Sequence, residues 1–144
     1  MNRMTNENSV LMKTHAFRVA SEFLKTYYVA EETVELRTLL SGMAIGPSGL
    51  ARDAGTMHTW VESLAKLRSA NVEDYMDEIN TNYPDATAQE WFMALSGYID
   101  YYNNIWKSKQ YEQVLSDIAS VKFDDRGSHR DNPIWKQWLQ ICVS

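Results

Sequence analysis

Apolar residues recur along this chain at spacings of three and four, the mark of helices that bury one stripe. Between Val10 and Tyr28 the stripe runs through Leu11, Ala16, Val19, Ala20, Phe23, Leu24 and Tyr27. Thr33 is placed to cap a second helix in which Leu36, Leu39, Leu40 and Met43 face inward. Gly46, Pro47, Ser48 and Gly49 mark a loop. A third helix begins between Asp53 and Thr56 and carries Met57, Trp60, Val61, Leu64 and Leu67. Asn71 can cap a short acidic helix, VEDYMDEI, which the segment NTNYPD ends. Thr87 and Glu90 have capping-box spacing and open a long helix through Trp91, Phe92, Leu95, Tyr98, Ile99 and Tyr102. Ser108 caps the next, with Tyr111, Val114, Leu115 and Ile118 inward. FDDRGSHRD reads as a charged loop, and Asn132-Pro133 starts the last helix. No run alternates in the manner of a strand, so the expected fold is all-α, a helical bundle.

An offset of 75 residues brings the two halves into register. It pairs Phe17 with Phe92, Ser21 with Ser96, Tyr27 with Tyr102, Leu40 with Leu115, Ser41 with Ser116 and Ala44 with Ala119. Chance would supply about two such identities. The expected caps Thr33 and Ser108 also correspond, and after a three-residue shift Asp53–Trp60 matches Asp131–Trp138. The expected organisation is one compact domain over 1–144, with pseudo-repeats of three helices at about 10–68 and 87–143 and a joining helix at 71–80. Units this short bury little alone, so they should share one core. The competing reading is a chance match between two helical hairpins with similar caps.

Composition narrows the function. Of 144 residues, 44% are hydrophobic and 12% aromatic, with six Gly and three Pro, enough apolar surface for a real core and too little Pro and Gly for a low-complexity chain. Fourteen Lys and Arg against 19 Asp and Glu give a charge of −5, which argues against nucleic acid as the partner. The lone Cys142 excludes an internal disulfide and CxxC zinc sites. There is no apolar leader at the N-terminus and no run approaching the roughly 20 apolar residues of a membrane span. The expectation is a soluble, cytoplasmic protein with no membrane association.

Chemistry-bearing residues are scattered. His15, His58 and His129 do not share metal-ligand spacing, and His58 is expected at the surface. Cys142 has no visible base beside it. Gly46–Gly49 lacks the lysine of a phosphate loop. Ser41 and Ser116 are read as structural, and Trp135 with Trp138 as core. No catalytic, metal or cofactor site is expected. The carboxylates are more informative: Glu73, Asp74, Asp77 and Glu78 form two i,i+4 pairs on one helix with no interleaved cation. Like charges on adjacent turns weaken that helix unless a basic partner offsets them. Asp124 and Asp125 form a second candidate contact, and Glu31-Glu32 lie outside the repeated positions.

In the second half the order YIDYY (98–102), VLSDI (114–118) and DNPIWKQWL (131–139) resembles a family of small bacterial immunity proteins of contact-dependent growth inhibition systems. The first half repeats it as FLKTYY (23–28), LLSGM (39–43) and DAGTMHTWV (53–61), with Gly42 where the second half has Asp117. The resemblance implies a helical, non-enzymatic inhibitor that binds a cognate toxin domain, often a basic-clefted nuclease. The acidic residues 73–78, then 124–125, would make the contact. Two other readings stand beside it: a helical adaptor or homo-oligomer joined through exposed tyrosines and tryptophans, and a bundle that binds a ligand or acts as an enzyme around a Tyr/Trp pocket.

Overall fold

The computed structural model describes residues 7–27, 34–44, 54–68 and 86–143. Over these the chain is mostly helical. In order come β1 (Val10–Leu11), α1 (Lys13–Lys25), α2 (Val34–Gly42), α3 (Ala54–Leu67), β2 (Ala86–Thr87), α4 (Ala88–Ile105) and α5 (Lys109–Ala119). A 3-10 turn (Ser128–Asp131) and α6 (Pro133–Cys142) complete it.

Local chemistry accounts for the helix starts. The Thr87 hydroxyl accepts from the Glu90 N–H while the Glu90 carboxylate accepts from the Thr87 N–H, the full reciprocal box. The Ser108 hydroxyl accepts from the N–H groups of Gln110 and Tyr111. Asn132 accepts from Ile134 N–H, with Pro133 in the first turn where its missing donor costs nothing. Thr33 and the expected joining helix at 71–80 lie outside the described residues.

Two expectations change. Leu11 belongs to a strand rather than to the first helix, which starts at Lys13 after Met12. β1 pairs antiparallel with β2, Val10 opposite Thr87 and Leu11 opposite Ala86. Two residues per strand are too short to leave an alternating pattern, so only their pairing reveals them. The charged loop is also partly ordered as the 3-10 turn, entered through Gly127 at φ 74°.

The core is one cluster drawn from all six helices and both strands. Trp60, Trp91, Trp135 and Trp138 are buried to within 1% of full burial, each removing on the order of 200 Å² from water. The tryptophan helices are exchanged: α3 of the first half packs on α4 of the second, and α6 packs on α1. Ring contacts come in corresponding pairs. Phe17 meets Trp60 at 5.9 Å, and Phe92 meets Trp138 at 5.4 Å. Trp60 meets Tyr98 at 5.4 Å, and Trp138 meets Phe23 at 5.7 Å. Phe23–Tyr27 is matched by Tyr98–Tyr102, at 5.7 and 5.2 Å.

Candidate partner-binding surface

The acidic stripe Glu73, Asp74, Asp77 and Glu78 lies outside the described residues, as do Glu31 and Glu32. Asp124 and Asp125 lie within them and differ. Asp124 binds its own loop: Oδ1 accepts from the N–H groups of Arg126 and Ser128, both at 3.0 Å, and Oδ2 from the Ser128 hydroxyl at 2.7 Å. The Ser128 N–H and hydroxyl hold its carboxyl below the usual aspartate range. Asp125 is exposed and makes no ion pair among the described residues.

Charge is unevenly distributed. Residues 69–85 hold Glu73, Asp74, Asp77, Glu78 and Asp85 with no Lys or Arg among them.

The remaining polar groups mostly join elements. The Tyr27 hydroxyl donates to Asp117 Oδ2 at 2.6 Å, and Gln113 donates to Oδ1 at 2.9 Å. Burial and then the Asp117 carboxylate raise the Tyr27 phenol well above its ordinary range. Tyr111 donates to the Glu35 carbonyl at 2.7 Å, tying α5 to α2. Arg68 grips Glu90 through Nε at 2.9 Å and Nη2 at 3.1 Å. Arg18 can only donate, so it fixes His15 Nδ1 as acceptor at 3.1 Å, and Nε2–H then donates to the Cys142 carbonyl at 2.9 Å. Glu7 reaches Nε2 of buried His129 at 3.3 Å and Arg130 at 3.4 Å. Apart from the local pairs Gln113–Asp117 and Arg18–His15, these contacts join residues at least 22 positions apart, which no local spacing announces.

His58 is exposed and lies 3.8 Å from Glu62, one turn along the same helix. Burial pushes the Cys142 thiol up to about 12, far from a reactive thiolate. Ser41 and Ser116 are exposed, while Trp135 and Trp138 are core. Among the described residues no group of three His, Cys, Asp or Glu could hold a metal, and no helix is long and apolar enough to cross a membrane. Two open clefts of about 480 and 490 Å³ flank α2. One is lined by Lys25, Arg37, Leu40 and Ser41, the other by Glu35, Lys107, Ser108, Lys109 and Gln110. The C-terminal half of α4 exposes Tyr101, Ile105 and the adjoining Trp106, an apolar surface that helix periodicity alone did not single out.

Comparison with protein-family models, with curated proteins and with solved structures gives no match.

Proposed function

We propose that this chain is an immunity protein that binds a basic toxin domain, a nuclease, and neutralises it by direct contact without catalysis. The observation that carries this reading is the run of acids in the sequence: Glu73, Asp74, Asp77 and Glu78 lie within six residues with no Lys or Arg between them. Carboxylates gathered in one place stand in for phosphates toward a basic cleft and steer such a partner in. The likeness of YIDYY, VLSDI and DNPIWKQWL to the growth-inhibition immunity proteins supplies the partner class. Cytoplasmic action and the absence of a cofactor, of nucleic acid binding and of membrane binding belong to the same reading.

We also propose that the fold is a tandem of two three-helix units about a pseudo-two-fold axis. Supporting it, α1 and α4 begin 75 residues apart, as do α2 and α5. Leu11 and Ala86, paired across the strands, are 75 apart as well, and the ring contacts occur in corresponding pairs.

The decisive experiment is titration of the purified chain with the toxin domain encoded beside it. Tight binding and loss of toxin activity are expected, and neither occurring would end the reading. Charge reversal at Asp74 and Asp77 tests the surface separately, because unchanged affinity would move the contact elsewhere.

A further inference from the structure

Residues 7–11 lie on the helical body in the manner of a bound peptide. Their alternate carbonyls are engaged from α4. The Gln89 N–H donates to the Glu7 carbonyl at 3.2 Å, the Ala88 N–H to that of Ser9 at 2.8 Å, and the Trp91 Nε1–H to that of Leu11 at 2.9 Å. The first N–H groups of a helix have no intrahelical acceptor, and here the segment satisfies two of them. Side chains alternate in step. Leu11 is buried and Glu7 and Ser9 are half-buried, while Asn8 and Val10 are exposed, Val10 by 64%.

The Glu7 carboxylate has a receptor of its own. His129 is only 4% exposed, and neither of its ring nitrogens makes a hydrogen bond. Its Nε2 faces Glu7 Oε1 at 3.3 Å, with Arg130 Nη2 at 3.4 Å from the same oxygen. The helical body holds that imidazole in place: Phe123 lies against it at 4.8 Å and Trp135 meets it edge-on at 6.0 Å. The start of α4 is likewise fixed without residues 7–11, by the Thr87–Glu90 box and the grip of Arg68 on Glu90. Main-chain donors along a groove, with pockets for alternate side chains, are how folded domains recognise extended peptides.

We propose that the start of α4, with β2, His129 and Arg130, is a receptor for an extended segment of a partner protein carrying a carboxylate four residues ahead of a leucine, and that residues 7–11 occlude it as a releasable strap. The strap displays the chemistry that fits: a carboxylate on His129 and Arg130, a leucine in the core, carbonyls between them. Its release is local, because Leu11 is its only fully buried side chain and the extended, exposed Met12 joins it to α1. Being tethered, the strap has an effective concentration on the order of millimolar. An outside segment therefore enters once the strap is loosened.

Hydrogen exchange of the full chain, followed by NMR without toxin, tests this. The amide protons of Ala88 and Gln89 and the indole proton of Trp91 should share one protection factor. Glu7→Gln removes the charge of the strap and leaves every receptor group in place. It should speed exchange at all three sites by a common factor of at least about ten, with the mid-helix Leu95 amide unchanged. The acetylated peptide of residues 7–12, ENSVLM, should bind the Glu7→Gln chain saturably and return the three protons to slow exchange. By fluorescence anisotropy the labelled peptide should bind the unaltered chain at least about tenfold more weakly, and Glu7→Lys or Leu11→Ala in the peptide should cost as much. Exchange at the three sites that ignores Glu7→Gln overturns the proposal, as does a peptide that neither binds nor protects. Binding indifferent to both peptide changes overturns the recognised pattern. If the Glu7→Gln chain dimerises by trading straps, the occupant is a second copy and the partner assignment falls.

Discussion

The Tyr27 hydroxyl donates a 2.6 Å hydrogen bond to Asp117 Oδ2, joining the C-terminal end of the first helix to the fifth across 90 residues of sequence. Asp117 is the carboxylate of the LSD motif in the second half, and Gly42 holds its place in the first. The motif residue therefore has a structural task at one of its two occurrences: it anchors a phenol from the other half of the chain.

That bond has a pH signature. The folded Tyr27 phenol ionises well above its ordinary range, as does that of Tyr111, where burial leads. Above the unfolded value of about 10 the unfolded chain therefore releases these protons first, and stability falls as pH rises. Tyr27→Phe should cost about 1 kcal/mol near neutral pH and make the alkaline decline shallower. Urea melts from about pH 8 to pH 11 read both effects; an unchanged alkaline slope would count against the assignment.

Glu90 gives the opposite limb. The Arg68 guanidinium, followed by the Thr87 N–H, holds its carboxyl below the usual glutamate range. Its contribution is present above the unfolded value of about 4.3 and is lost as pH falls through the lower folded one. Glu90→Gln keeps the shape of the capping box while weakening its grip on Arg68. We expect a loss of about 1 kcal/mol at neutral pH and a flatter acid limb by thermal denaturation.

Two corresponding tryptophans should respond differently to the same change. Trp138 donates from Nε1 to the Ala88 carbonyl at 3.2 Å. Trp60 is equally buried, but its Nε1 has no acceptor among the described residues. Both lose similar apolar area on becoming Phe. Trp138→Phe should nevertheless destabilise by about 1 kcal/mol more than Trp60→Phe, because only it breaks a bond. Equal costs in parallel denaturant titrations would contradict that account.

The loop at 124–128 separates two adjacent acids. Asp124→Ala removes the acceptor of three loop donors and should lower the melting temperature; Asp125→Ala should leave it unchanged. Gly127→Ala should cost about 1 kcal/mol or more, since φ is 74° and an added Cβ would lie 2.9 Å from Arg130 Nη1. If Asp125→Lys weakens toxin binding while Asp124→Asn does not, the partner contacts the outer acid alone.

Much of this architecture was legible in the chain itself. Helix starts at Thr87, Ser108 and Asn132 depend on a side chain two or three residues from the donor it satisfies, so sequence spacing suffices to find them. Burial of Trp60, Trp91, Trp135 and Trp138 follows from their place on apolar helix stripes. Charge arithmetic likewise concentrates the acids in a few segments. Other features depend on distance in space. The pairing of Leu11 with Ala86, the packing of the tryptophan helices and the bond from Tyr27 to Asp117 bring together residues 31 to 115 positions apart. Periodicity tells which face of a helix is apolar and leaves open which helix will cover it. For α3 that cover comes mainly from α4, and for α6 it comes from α1 together with α4 and α5.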